Sequence, residues 1–260
     1  MKFITEPTIH LVAATQFFGT PAYRIPEDGT DAEKLGAFAA KGCYDSFLPK
    51  GRSNMENQRE VVKSAHGSVL EHASASLFIE GITRACSLEI VRHRAGFAYS
   101  QRSTRYVAEE DGAYVLEPYY AALYKKKLAG YALSSIKYEL LEIHLMACED
   151  ADNSYRKSVF GLMQDNPEHL EGFARRKWAR GKARNLLPHA LETRMTVTAN
   201  YRAWRHFIAM RTDRHAEPEI RRLAGGIYFV LKGLAPTYFE DAQVGVQSGF
   251  MEITFTSGKV

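Results

Sequence analysis

The segment Arg92-His93-Arg94-Ala95-Gly96-Phe97-Ala98-Tyr99-Ser100-Gln101-Arg102-Ser103-Thr104-Arg105-Tyr106 carries four arginines, one histidine and three Ser/Thr hydroxyls in fifteen positions. It contains neither an acid nor a lysine. Arginine keeps its proton at any working pH and captures phosphate through two parallel N–H donors. Gly96 and the Ser/Thr cluster predict a loop, in which backbone N–H groups and hydroxyls also face an anion. The segment therefore reads as a phosphate-binding site. The competing reading is a solvated, salt-bridged face.

The second half of the chain repeats the signature and decides between the two. Ala183-Arg184-Asn185-Leu186-Leu187-Pro188 is followed by Asn200-Tyr201-Arg202, then by Trp204-Arg205-His206-Phe207 and Met210-Arg211. His215-Ala216-Glu217 closes the run ahead of an amphipathic segment.

Together these segments resemble the flavin-dependent thymidylate synthases, the ThyX type. The family hallmark is Arg-His-Arg, seven residues, then Ser; here Arg92-His93-Arg94 is followed by eight residues before Ser103. His66-Gly67-Ser68-Val69-Leu70-Glu71-His72 is also similar to the family, and the likeness runs from Thr15 to Ala224. The resemblance implies a single α+β domain over residues 1–260, helices packed on a mainly antiparallel sheet, assembled as a homotetramer with active sites formed between subunits.

It also implies reductive C5-methylation of dUMP to dTMP, with FAD as cofactor and methylenetetrahydrofolate and NADPH as cosubstrates. A C5-methylase of UMP or another pyrimidine nucleotide stays open, as does a nucleotide- or flavin-binding protein without turnover. Side chains supply neither hydride nor one-carbon units, so this chemistry needs cofactors. By resemblance, His66, Ser68, Glu71, Arg92, His93, Arg94, Asn200, Arg202 and His215 hold FAD. Gln101, Arg102, Ser103, Thr104, Arg105, Arg184 and Arg211 hold the nucleotide. Arg184 and Ser103 are the catalytic candidates, Arg184 as a fixed cation beside the activated ring and Ser103 as a binding group. Glu89 fits the nucleotide pocket and equally fits an exposed helix acid. Arg102 stands where the family is often apolar, which predicts an added cation at the phosphate. Tyr201, Trp204 and Phe207 stand at helical spacing and read as core, whereas His206 fits either role.

Composition is ordinary for a soluble globular protein. The 260 residues are 45% hydrophobic and 25% charged, with a net charge of +4 that suits anionic small substrates and does not call for nucleic acid. Glu6 and Pro7 interrupt any secretory h-region, and no run approaches the ~18 apolar residues of a membrane span. Cys43, Cys86 and Cys148 form no CxxC pair, so neither a disulfide framework nor a metal site is expected and a reducing cytoplasm is the natural compartment. No Gly-x-Gly-x-x-Gly fingerprint supports a Rossmann site.

Periodicity predicts a strand over Ile9 to Ala14 and, from the capping box at Ser53-Asn54-Met55-Glu56, a helix to about Ala65. Ala73 to Ile82 alternates as a strand. Thr83 to His93 reads as a helix with Ala85, Leu88 and Val91 inward, ended by Gly96. Pro118 opens a helical segment to about Glu149, interrupted at Gly130, with Lys125-Lys126-Lys127 on its wet face. Its apolar residues Leu123, Leu128, Tyr131, Ile136, Leu140 and Leu145 are expected in a core or subunit contact. Asn166-Pro167 predicts a further helix start, with that helix ending near Gly181. A strand over Arg194 to Ala199 precedes a helix over Tyr201 to Met210 and a final helix from Pro218 to Lys232 burying Ile220, Leu223, Ile227 and Leu231. Thr256 to Val260 reads as a loose tail.

Overall fold

Ala73, Ala75, Leu77 and Ile79 are all at most 1% exposed, while Ser74, Ser76, Phe78 and Glu80 between them are half-buried. This period-two burial makes a strand from residues with weak strand propensity, because one face fills the core. The computed structural model of the chain describes residues 1–48, 51–109 and 112–258.

The strands are β1 (Lys2–Ile4), β2 (Thr8–Ala14), β3 (Ser74–Thr83), β4 (Phe97–Gln101), β5 (Ala113–Val115), β6 (Glu192–Asn200), β7 (Ala242–Gln247) and β8 (Phe250–Phe255). The helices are α1 (Asp31–Cys43), α2 (Asn54–Lys63), α3 (Arg84–Ile90), α4 (Pro118–Leu128), α5 (Ser135–Asp165), α6 (Gly172–Ala183), α7 (Tyr201–Thr212) and α8 (Pro218–Leu234). Four strands form a sheet in the order β2-β3-β6-β4. Thr15 N–H donates to Ser74 O at 3.0 Å, the Ser76 and Thr198 hydroxyls meet at 2.7 Å, and Arg102 N–H donates to Arg194 O at 2.9 Å. These pairings run each neighbour antiparallel to the next. β7 and β8 form an antiparallel hairpin, whereas β1 and β5 pair in parallel. The α+β class expected from sequence is the class observed.

Several helix ends follow their sequence signals. Ser53 and Glu56 close the capping box at α2, Pro118 occupies the first turn of α4, and Gly130 follows α4 with φ +76°. Others differ. α3 ends at Ile90 and buries Cys86, Ser87 and Ile90, leaving Ala85 and Leu88 outward. The Thr83 hydroxyl accepts from Cys86 N–H at 2.9 Å and sets that phase. Phe97–Gln101, expected as loop, is strand β4, because β6 offers it a partner. α5 runs past Glu149 to Asp165, and Asn166 is its left-handed C-cap (φ 38°), not the start of a new helix. α6 starts six residues later, at Gly172. Of the apolar residues expected inside α4 and α5, Leu123 and Leu145 are buried, whereas Leu128, Tyr131, Ile136 and Leu140 are exposed. The hairpin after α8 and the β1–β5 pair were not foreseen, and Lys259 and Val260 of the expected tail lie outside the described residues.

The chain divides into two compact units. One comprises Met1–Thr8, Glu80–Ile90 and Gln101–Met195. In it α5 packs on α4 through Leu116, Ala121, Leu123, Leu141 and Leu145, and on α6 through Tyr155, Val159 and Ala183.

The other unit comprises Ile9–Ile79, Val91–Ser100 and Thr196–Val260. There α8 lays the expected Ile220, Leu223, Ile227 and Leu231 against α7 and β8, each buried side chain contributing roughly 1.5–3 kcal/mol by leaving water. Tyr201, Trp204 and Phe207 are each 0% exposed and belong to this core, as their spacing predicts.

Arg205 is the charged member of that core. Its guanidinium is fully buried, donates to Asp241 at 2.7 and 3.0 Å and stacks 4.0 Å from the Phe255 ring. Burial, the largest single influence, raises the Asp241 carboxyl, but the hydrogen bonds and charge of Arg205 together with backbone N–H donors, Ser257 among them, outweigh it and hold the carboxyl below its usual range. Asp241→Ala leaves that cation buried without its counter-ion and is expected to cost about 3–5 kcal/mol in urea unfolding. Arg205→Met together with Asp241→Ala is expected to recover much of the loss.

Candidate active site

The cofactor positions expected from sequence, His66, Ser68, Glu71, Arg92, His93, Arg94, Asn200, Arg202 and His215, all fall in the second unit. A 3-10 turn over Gly67–Glu71, preceded by His66, leads into β3. A Cβ at Gly67 would lie 2.8 Å from Arg202 Nε and 3.1 Å from its Cζ, so only glycine lets that guanidinium rest on the turn. Arg202 pairs with Glu71. Asn200 caps α7, its Oδ1 accepting from Ala203 N–H at 2.8 Å, and its own N–H donates to Gly96 O at 3.3 Å. Gly96 takes φ +75°, and a Cβ there would meet Ala203 Cβ and Asn200 Nδ2, both at 2.9 Å. The turn after Arg94 is therefore packed directly on the α7 cap.

Arg92 and Arg94 are exposed on either side of His93, which is 9% exposed. The His93 ring meets Phe207 edge-on at 4.9 Å between centroids. Arg211 Nε donates to His93 Nε2 at 2.8 Å. A guanidinium has no lone pair to offer, so Nε2 must be the acceptor and the imidazole neutral. Burial, and after it the charges of Arg211 and His206, lower the His93 pKa to about 4. Arg211, expected at the nucleotide, thus lies against His93, and with His215 it lines a cavity of about 450 Å³. His215 itself is exposed, its N–H donating to Asp213 at 2.8 Å. Ser68 and Glu71 are exposed as well, and so is His206.

The remaining nucleotide positions, Glu89, Gln101, Arg102, Ser103, Thr104, Arg105 and Arg184, all fall in the first unit. Gln101 Nε2 donates to the hydroxyls of Ser87 (2.8 Å) and Thr193 (3.2 Å) at the end of β4. The Ser103 hydroxyl accepts from Arg105 N–H at 3.3 Å, and Ser103 O accepts from the N–H groups of Tyr106 and Val107. This tight turn buries Thr104 and leaves Arg105 exposed. Glu89 is half-buried on α3.

Thr104 and Arg184 line one cavity of about 340 Å³ with Arg84, Leu88, Asn185 and His189. Arg84 was missed in the sequence. It opens α3, and only the fold brings it here: its N–H donates to His189 O (3.0 Å) and Leu191 O (3.1 Å). Burial pulls the Arg84 guanidinium below its usual range; Glu109 opposes this, and the nearby Arg184 charge adds to it. Two guanidiniums sharing one partly apolar cavity repel each other, and a bound anion relieves that repulsion.

Arg102, expected at the phosphate, is engaged within the protein. Its guanidinium lies 2.9 Å from a Glu109 oxygen and 3.1 Å from a Glu192 oxygen, both on buried acids. The acids responsible lie seven and ninety residues downstream, and the second becomes a neighbour only through the β4–β6 pairing.

Two guanidiniums and the Thr104 side chain line one cavity, and Arg211 with His215 lines the other, an arrangement that suits an anionic small molecule. The comparisons narrow this. The family described as thymidylate synthase complementing protein matches residues 27–237. A flavin-dependent thymidylate synthase of Mycobacterium sp. (strain JLS) is 40% identical over 243 residues, covering 91% of this chain and 90% of the relative. Those of Mycobacterium marinum and Mycobacteroides abscessus are 39% and 38% identical, the latter over 98% of both chains. The chain belongs to the family of flavin-dependent thymidylate synthases. No helix among the described residues is long and apolar enough to cross a membrane, and none of their His, Cys, Asp or Glu side chains gather into a metal-ligating group.

The neutral imidazole has a measurable signature. With a folded pKa of about 4 against the ordinary 6.5, His93 is uncharged in both states above pH 6.5 and protonates first in the unfolded chain as pH falls. Stability is then lost between pH 6.5 and 4. Between pH 7 and pH 5 the wild-type protein is expected to lose about 2 kcal/mol more than His93→Gln in denaturant titrations. Parallel loss in the two proteins excludes a buried neutral His93.

Proposed function

We propose that this protein catalyses the FAD-dependent reductive C5-methylation of dUMP to dTMP, with methylenetetrahydrofolate as carbon donor and NADPH as reductant. The observation that carries the nucleotide half is the pairing of Arg84 with Arg184 round a cavity walled by Thr104. A nucleotide monophosphate supplies the negative charge that such a pair needs. Family membership supports the flavin half.

The residues present fit a flavin dinucleotide. Arg92, Arg94 and Arg202 offer cationic groups, the Gly67 turn allows close approach of a guanidinium to the backbone, and the neutral His93 adds an aromatic ring. When bound, the flavin supplies the redox chemistry that no side chain can provide. His66, Ser68, Glu71, Asn200 and His215 are assigned to the same cofactor. Around the nucleotide, Gln101, Ser103, Thr104, Arg105 and Arg211 bind and orient, while Arg184 favours negative charge on the ring as C5 becomes nucleophilic. Ser103 holds the substrate and does not attack it. We further assign the chain to a cytoplasmic homotetramer in which residues 1–260 act as one domain; the exposed Ile136, Leu140 and Ile143 of α5 suit a subunit contact.

Product analysis after incubating FAD-loaded protein with NADPH, methylenetetrahydrofolate and either dUMP or UMP tests the proposal. The expected product is the C5-methylated deoxynucleotide. Methylation of UMP in preference assigns the protein to modified-nucleoside synthesis, and FAD binding without methylation of either reduces it to a binding protein.

The role of Arg184 is tested separately. Arg184→Lys keeps the charge but loses the planar fork, and is expected to lower turnover by about 10²–10³. FAD affinity, measured by flavin fluorescence, is expected to stay unchanged. Undiminished turnover removes Arg184 from the chemistry.

A further inference from the structure

Arg102 stands between two acids that water barely reaches. Glu109 is 1% exposed and Glu192 3% exposed, and the Arg102 side chain itself is only 22% exposed. The two carboxylates are not equivalent. Glu192 Oε1 accepts from Gly81 N–H (3.2 Å) and from Arg194 Nε (3.1 Å), and its Oε2 accepts from Arg102 Nη1 (3.1 Å). Glu192 is thereby anchored to β3 and to its own strand. Glu109 lies across the turn, its Oε2 2.9 Å from Arg102 Nη2. Burial raises the Glu109 carboxyl to about 7; Glu192 adds to the rise, while Arg102, Arg84 and Arg194 oppose it.

Such a network is a poor way to gain stability, since removing these charges from water costs several kcal/mol per ion. What it provides is geometry. The guanidinium is held on one side by a directed hydrogen bond to Glu192 and on the other by ionic contact with Glu109, whose buried Oε2 accepts no hydrogen bond, and a charge held this way cannot slide as an apolar side chain can. Its own backbone is held too, by the Arg102 N–H donated to Arg194 O at 2.9 Å. The next residue, Ser103, starts the turn that sets Thr104 into the cavity wall beside Arg84 and Arg184.

We propose that Glu109 and Glu192 form a two-carboxylate clamp on Arg102 that positions the Ser103–Arg105 turn for the nucleotide. Glu109, Glu192 and Arg102 are then positioning residues, and Arg102 raises affinity through the turn and not by touching phosphate. This inference rests on the nucleotide role proposed above for that turn. It distinguishes two kinds of loss. A phosphate contact weakens binding of the nucleotide alone, whereas a displaced turn weakens nucleotide and nucleoside together.

Calorimetric titration of FAD-loaded wild type, Glu109→Gln, Arg102→Lys, Arg102→Ala and the Arg102→Ala/Glu109→Gln double variant with dUMP and with deoxyuridine tests it. Glu109→Gln and Arg102→Ala are each expected to weaken both ligands by similar factors of about ten. Arg102→Lys is expected to fall between wild type and Arg102→Ala. The double variant is expected to be no weaker than Arg102→Ala, because each substitution breaks the same clamp. FAD affinity is expected to be the same in all. Loss confined to dUMP in Arg102→Ala, with Glu109→Gln unaffected, overturns the clamp in favour of a phosphate contact. Lowered melting temperatures with unchanged affinity for either ligand overturn it in favour of a purely structural ion pair. Should Arg102→Ala fail to fold, Glu109→Gln and Arg102→Lys carry the same comparison. Failure of wild type to bind FAD or dUMP strikes the proposed function itself, a result separate from any difference among the variants.

Discussion

The central constraint is the pairing of β6 with β3 on one side and β4 on the other. Its two ends each hold one end of β4. At Asn200 the ladder receives the turn after Arg94, and at Arg194 it receives Arg102 just before the Ser103 turn. A five-residue strand with one half-buried face has little stability of its own. The register imposed by β6 divides the arginine-rich segment in two. The turn after Arg94 rests on the α7 cap, and the turn that starts at Ser103 sets Thr104 into the wall of the Arg84–Arg184 cavity.

That division explains what was legible in the sequence. Signals confined to one element were read correctly: the period-two burial of β3, the Ser53 capping box, and the core stripes of α7 and α8. Signals that depend on a remote partner were not. Phe97–Gln101 looks like loop because its glycine and hydroxyl neighbours dominate locally, while the hydrogen bonds that make it a strand come from residues almost a hundred positions away. Asn166-Pro167 is ambiguous in the same way, since asparagine suits both a helix start and a left-handed C-cap.

The candidate site shows the same pattern at the level of side chains. Motif resemblance selected the residues but could not say which charges are already engaged. Arg202 and Glu71, both assigned to the cofactor, are paired with each other, and Arg211 is aimed at His93. Arg102 reads as an extra cation in the sequence because Glu109 and Glu192 carry no local sign of being its partners. Arg84 escaped notice for the opposite reason, being an unremarked arginine at a helix start until the His189 turn meets it. Helical phase in α3 failed because a threonine cap, not apolar spacing, sets which face turns inward.

Gly96 carries one last consequence. The space its missing Cβ leaves is filled by Ala203 Cβ and Asn200 Nδ2, each 2.9 Å from where that atom would stand. Positions 96, 200 and 203 therefore share a single small volume, and their identities are chosen jointly. A larger residue at 203, or a bulkier cap at 200, pushes the turn outward and takes Arg94 with it. The seating of the Arg94 turn is thus set by a helix cap about a hundred residues away in the chain.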